Sequence, residues 1–181
     1  MTALWLGIDP GARGTGFALR DLDDLCHWHH VVDAKDLDPD KWIEALQTAI
    51  GEALDRCAYA NAEAFVSVED VAPPRAFKDG KLTPVRPADL IRTGFAVGLV
   101  VALVKAVTGA APEMIPPNKH GHRPLSSYPR DLVTPGEVST RTRCGTWDET
   151  AGQSAMVRHA RSAWDVAGSA IQGAGLFGAV R

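Results

Sequence analysis

The sequence predicts an α/β fold, a mixed five-stranded sheet flanked by helices, and three observations carry that reading. Five short apolar runs have strand character, and three longer runs repeat apolar residues at spacings of three and four. The two kinds are interspersed along 181 residues, enough for one well-buried core and short for two ordinary domains. Residues 1–181 are therefore read as a single domain.

The first run is LWLGIDPGARGTGFAL, residues 4–19. Leu4, Leu6 and Ile8 alternate with Trp5 and Gly7 in a strand over 3–9. The Pro10-Gly11 step then reverses the chain, and 15–19 returns as the second strand of a hairpin. The acidic turn 21–24 leads to a third strand over 26–32. A helix is predicted over 39–57, with Trp42, Ile43, Leu46, Ile50 and Leu54 on one stripe and Asp38 or Asp40 as its cap. Residues 64–68 read as a buried strand ending in Glu69-Asp70. Residues 73–87 read as an extended or flexible loop carrying Arg75, Lys78, Lys81 and Arg86 against the single acid Asp79. Residues 88–108 form an apolar helix in which Gly94 and Gly98 leave room for a close neighbour, and 112–115 is a short strand. Rich in Pro, Gly, Ser and Thr, 116–150 has little periodicity. A small-residue helix begins near Thr150, with Asp165 as its only acid.

Composition narrows the partners. Cys26, Cys57 and Cys144 form no CxxC or paired pattern, so neither a disulfide scaffold nor a zinc site is indicated, and a reducing compartment fits. No signal peptide is read at the N-terminus. The longest unbroken apolar run, 95–104, is shorter than the ~20 residues a bilayer demands, so no membrane partner is expected and 88–108 reads as a buried helix. The net charge of −3 is unevenly distributed. Residues 1–74 carry 5 Lys/Arg against 14 Asp/Glu, whereas 75–161 carry 13 against 7. The middle of the chain is thus able to offer phosphates a basic footprint, although chance asymmetry on a solvated surface gives the same count.

Asp9, Glu69 and Asp165 are the candidate chemistry. An ionised carboxylate in an apolar setting needs a compensating partner, so Asp9 is either catalytic or a turn cap. If 64–68 lies parallel beside the first strand, Asp9 and Glu69 end on the same side of the sheet, and the last helix can lay Asp165 over their edge. Three converging carboxylates repel one another unless divalent cations join them. Two Mg²⁺ ions about 4 Å apart would activate a water and stabilise the leaving oxygen of a phosphodiester, making a phosphoryl-transfer site.

GIDPGARGTGF, with Glu69 after an apolar strand and Asp165 in an alanine-rich terminal helix, resembles the RuvC branch of the RNase H-like superfamily, in particular small phage-type Holliday junction resolvases. The resemblance spans nearly the whole chain in element order, and its first motif is the specific one. It implies a homodimer, formed through helix 88–108, that binds branched DNA at a four-way junction and places paired nicks with Mg²⁺ or Mn²⁺, two per active site. It also implies a cytoplasmic setting in a bacterial cell or a phage-infected host. Asp9, Glu69 and Asp165 match the family's catalytic, metal-binding carboxylates. The departure is Ser162, where cellular members place Asp or His. His159, one turn further back, is the preferred substitute as fourth ligand or proton shuttle, although six residues from Asp165 put it about 120° around the helix; Asp148 and Glu149 are the rivals.

Lys119 follows the 112–115 strand, where a basic residue of this fold approaches the scissile phosphate; otherwise it is a surface lysine in a turn. His120 and His122, an HxH pair with no third ligand, read as solvated loop histidines. Arg75, Lys78, Lys81 and Arg86 suit phosphate contacts, and Phe77 suits stacking on or wedging between bases. Arg158 and Arg161 are either DNA contacts or helix-surface residues. Two other classes stay open. DPGARGTGF is similar in outline to the phosphate-gripping hairpin of actin/sugar-kinase ATPases, though the chain lacks their length and duplication. A catalytically silent nucleic-acid-binding module would keep the fold alone. RNA–DNA hybrid hydrolases also remain open, because junction shape is read through backbone geometry rather than a base-reading motif.

Overall fold

A computed structural model of the chain describes residues 2–34, 37–71, 87–118, 120–137 and 155–178, with backbone alone for 77–78, 81–82, 155–156 and 176–178. Its main sheet has five strands in the spatial order Cys26–Asp33, Gly14–Arg20, Thr2–Pro10, Ala62–Glu69 and Glu113–Ile115. β1 (Thr2–Pro10), β2 (Gly14–Arg20) and β3 (Cys26–Asp33) form an antiparallel meander, and β4 (Ala62–Glu69) runs parallel to β1. β7 (Glu113–Ile115) adds to β4 in parallel. The mixed five-stranded sheet flanked by helices is the architecture the periodicities predict.

Alternation along β1 sorts the two faces. Leu4, Leu6 and Ile8 point to one side, where they join Phe17 and Leu19 of β2, Val68 of β4 and the apolar stripe of α1 (Pro39–Tyr59). α1 is capped by Asp38, whose side chain accepts the Lys41 N–H at 2.9 Å, and Pro39 sits in its first turn. On the other side Trp5 and Ala18 meet α3 (Ala155–Gly178), which contributes Ala160, Ala163, Trp164, Ala167 and Ala170. The sheet therefore has a large aliphatic core on one face and a small-residue core on the other.

α2 (Pro87–Thr108) departs from the expectation of a buried helix. Val100, Leu103 and Val104 join the aliphatic core, while Ile91, Phe95 and Val107 are exposed. An 18-residue window of this 22-residue helix has mean hydropathy 2.0, so it is long and apolar enough to cross a membrane by length and composition, a property the ten-residue run alone conceals. No described atom lies near the position a side chain would take at Gly94 or Gly98, so the close neighbour these glycines were expected to admit is not within this chain's described residues. The basic loop also differs in part: β5 (Phe77–Lys78) and β6 (Lys81–Leu82) pair antiparallel as a short hairpin. Between β7 and α3, the described residues hold two single 3-10 turns, Leu125–Ser127 and Arg130–Leu132.

Candidate active site

In the parallel β1–β4 ladder Ile8 pairs with Val68, so the next residues, Asp9 and Glu69, stand side by side. Both belong to the face covered by α3, because they share the alternation of Gly7 and Ser67 rather than that of the core residues Ile8 and Val68. α3 lies directly on the strand backbones. A Cβ built at Gly7 would fall 1.9 Å from the Ala163 carbonyl oxygen, and one at Gly16 would fall 2.0 Å from that of His159. Only glycine permits this approach, which lowers the helix onto the ends of β1 and β4.

The helix then presents three side chains along the edge. His159 Nδ1 is 2.7 Å from Asp9 Oδ2. Ser162 Oγ donates to Glu69 Oε2 at 3.3 Å. Asp165 comes next, about 9 Å beyond His159 at 1.5 Å of rise per residue. From the segment after β7, His120 Nδ1 approaches Glu69 Oε1 to 2.8 Å, and its Nε2 lies 3.2 Å from Ser169 Oγ. His120 thus corrects the reading of a solvated histidine: its side chain is 6% exposed and sits among the acids, whereas His122 is exposed as expected.

Burial, assisted by the charge of Asp9, pushes the Glu69 carboxyl above its ordinary range, and the His120 hydrogen bond opposes the shift. Burial also disfavours charging His120. Its bond to Glu69 and the charges of Glu69, Asp165 and Asp9 outweigh that cost and raise its pKa. Asp165 is held differently. Oδ2 accepts the Gly121 N–H at 2.9 Å and the Tyr128 hydroxyl at 2.8 Å, while Oδ1 faces Arg123 Nη2 at 2.9 Å. Gly121 takes φ +74, a left-handed conformation suited to glycine, and its backbone N–H donates to the carboxylate. Burial and the Asp165 charge push the Tyr128 hydroxyl up to about 12, so it stays a donor.

Asp9 and Glu69 are brought together, and Asp165 stands apart with both oxygens engaged. Among the described residues no three His, Cys, Asp or Glu side chains come close enough to hold one ion. The donor set nevertheless suits a hard divalent cation: Asp9 and Glu69 offer adjacent carboxylate oxygens, 14% exposed each, and burial first, then the charge of Asp9, raises the Glu69 pKa in the absence of a cation.

Other expected site residues fare variously. Arg161 corrects the DNA-contact reading, because it is fully buried and bound to Glu137 at 3.1 Å and to the Leu132 carbonyl at 2.8 Å. It clamps the segment before α3 onto the helix and cannot reach a ligand. Arg158 is partly exposed on the first turns of α3. Lys119, Asp148, Glu149, Arg75 and Arg86 lie outside the described residues, and Phe77, Lys78 and Lys81 are placed by backbone alone. His120, Gly121, Arg123 and Tyr128 were the residues sequence reasoning missed. For His120, Gly121 and Arg123 the signal was the run KHGHR, three residues beyond the predicted strand and dense in titratable groups around one glycine; Tyr128 lies outside it.

No family model matches the chain, and no curated protein matches it. Solved structures do. Thermus thermophilus RuvC in complex with a Holliday junction substrate is 17% identical, with 91% of this chain and 90% of that one covered at a TM-score of 0.54. A second T. thermophilus RuvC structure is 17% identical over 94% and 96%, at 0.49. The inorganic polyphosphate/ATP-glucomannokinase of Arthrobacter sp. strain KM is 22% identical over 63% of this chain and 44% of its own, at 0.38. The first likeness shows the fold: this chain has the RNase H-like fold of RuvC.

Proposed function

We propose that the protein is a divalent-metal-dependent endodeoxyribonuclease that resolves four-way DNA junctions by paired nicks, and that it belongs to the phage-type branch of the RuvC-like resolvases. The observation that carries this reading is the adjacency of Asp9 and Glu69 at neighbouring parallel strand ends, under a helix bearing His159, Ser162 and Asp165. Mg²⁺ or Mn²⁺, two per site, would supply Lewis-acid polarisation of the phosphodiester and a water made nucleophilic at neutral pH. Asp9 and Glu69 hold that charge at the sheet edge. His159 orients Asp9, and its imidazole is the chain's candidate fourth ligand or proton carrier, with Asp148 and Glu149 as rivals. Ser162 supplies a neutral hydroxyl and holds Glu69 rather than replacing a carboxylate. Lys119 is the basic residue proposed to act on the scissile phosphate.

Arg75, Lys78, Lys81, Arg86 and Arg158 contact the DNA backbone in this proposal, and Phe77 stacks at the junction centre. The active unit is a homodimer through α2, whose twofold axis matches that of the junction. Support comes from the exposed stripe of Ile91 and Phe95 beside the open Gly94 and Gly98. Residues 1–181 act as one nuclease domain in the cytoplasm of a bacterial cell or a phage-infected host. A cleavage panel of four-way, three-way, flap, duplex and RNA–DNA hybrid substrates with Mg²⁺ and Mn²⁺ tests the reading. Symmetric nicking of the four-way junction is expected. Preferential hybrid cleavage, ATP hydrolysis, or binding without cleavage would each replace it with one of the other classes.

A further inference from the structure

We infer that Arg123 is an internal counter-ion that closes Asp165 to divalent cations in the free protein, and that a backbone phosphate of the bound DNA draws it away into the adjoining pocket. The inference rests on the nuclease reading above and assigns a regulation to that same site.

Asp165 is the fixed member of the pair. It is 8% exposed and anchored on Oδ2 by the Gly121 N–H and the Tyr128 hydroxyl, so only Oδ1 remains for another ligand, and Arg123 Nη2 occupies it at 2.9 Å. A guanidinium and a metal ion cannot share that oxygen at bonding distance without strong repulsion. Arg123 is the movable member. Its side chain is 48% exposed, and its guanidinium lies 5.1 Å from the ring centroids of both Tyr128 and Trp164, an aromatic shelf that supports a cation in more than one position.

A place for the displaced guanidinium and its new partner lies alongside. A small cavity of about 190 Å³ adjoins Asp165 and is lined by Arg20, Asn118, His120, Arg123, Ser169 and Gln172. Arg20 is the rigid wall of this cavity. It donates to the Trp164 carbonyl at 3.2 Å, pairs with Asp24, and lies 3.7 Å over the Trp164 ring, with its buried Nε finding no hydrogen-bond partner among the described residues. The Arg123 guanidinium, backed by the charge of Arg20 and flanked by the amide and hydroxyl groups of Asn118, Ser169 and Gln172, makes an anion receptor of the size of one phosphate. While Arg123 pairs with Asp165, as Arg20 does with Asp24, the charge of the receptor is neutralised. Once Arg123 turns to a phosphate, Oδ1 is released toward the cavity that His120 also lines. DNA binding and cation binding are thereby coupled.

The test is calorimetric titration of Mn²⁺ into the full chain without DNA, for wild type, Arg123→Gln and Arg123→Lys, each also carrying Asp165→Asn. Four-way junction affinity is measured in parallel by anisotropy in chelator. Arg123→Gln is expected to bind Mn²⁺ roughly fivefold more tightly, the scale of one partly exposed ion pair, and to bind the junction several-fold more weakly. Arg123→Lys keeps a charge over the aromatic shelf and should fall between. The Mn²⁺ gain should vanish in the Asp165→Asn background. An unchanged Mn²⁺ affinity in Arg123→Gln, a gain that survives Asp165→Asn, or an unchanged junction affinity would each overturn the inference while leaving the nuclease reading intact. Absence of Mn²⁺ binding in every protein, with junctions uncut, would remove both.

Discussion

His159 Nδ1 lies 2.7 Å from Asp9 Oδ2, although the two residues are 150 positions apart and His159 stands a third of a turn around α3 from Asp165. The site is long rather than compact. α3 crosses the strand ends so that His159 stands over β1, Ser162 over β4, and Asp165 over the segment after β7. A helical displacement that looks unfavourable when a single ion is imagined becomes serviceable when the acids are strung along the helix.

His159 should therefore matter more than Ser162. His159→Ala is expected to lower junction nicking by about tenfold or more at limiting Mn²⁺, with partial recovery as Mn²⁺ rises. Ser162→Ala should cost only a few-fold. Nicking rates across Mn²⁺ concentration check this, with Asp148→Asn and Glu149→Gln alongside. Loss confined to either of the latter, with full activity in His159→Ala, would move the fourth ligand to the segment before α3.

Gly7→Ala should loosen the whole arrangement. The added methyl would lie 1.9 Å from the Ala163 carbonyl, and the helix has to lift by more than a side-chain adjustment. A loss of about 3 kcal/mol is expected from overpacking of this kind, read as a lower denaturant midpoint. An unchanged midpoint would mean that α3 does not rest on β1 as described.

Arg161→Ala should destabilise by roughly 3–5 kcal/mol, because it removes the guanidinium that balances the charge of the buried Glu137 carboxylate. Arg161→Met combined with Glu137→Leu should recover much of that loss. Neither change should alter junction affinity of the folded fraction, whereas Arg158→Ala should weaken it and flatten its salt dependence. Equilibrium unfolding and binding at several salt concentrations separate the two arginines.

Much of this was legible in the chain. The hairpin, the fourth strand and the three long helices followed from alternation and from three-and-four spacing, since those periods report which face is buried. Asp9 and Glu69 were legible because each is an acid ending an apolar strand. Arg161 and His120 were misread for one physical reason: burial of a charged or titratable side chain depends on a partner distant in sequence. Glu137 for Arg161 and Glu69 for His120 leave no mark in the local pattern. The engagement of Asp165 by Arg123 and Tyr128 was hidden in the same way, inside a segment with no periodicity to read.

The metal-free protein should lose stability as pH rises through neutrality. Both Glu69 and His120 have folded pKa values above their ordinary ones, so the folded state binds more protons than the unfolded chain. The His120 contribution is fully present below the ordinary histidine value of 6.5 and is lost as pH climbs through its raised value; Glu69, ionised beside Asp9, adds destabilisation above 4.5. Thermal melts in chelator should show a falling Tm over this span, a smaller fall in His120→Gln, and a rise on adding Mn²⁺ at the alkaline end. A Tm that rises with pH would contradict the assignment.

The most direct measurement is a paired assay of four-way junction binding and nicking by wild type, Asp9→Asn and Glu69→Gln at one salt concentration with Mn²⁺. Removing either carboxylate takes away several kcal/mol of transition-state stabilisation, on the order of a hundredfold or more in rate, while backbone contacts made elsewhere persist. The account predicts near-abolished nicking with junction affinity retained in both variants. Nicking close to wild type in Asp9→Asn would contradict it.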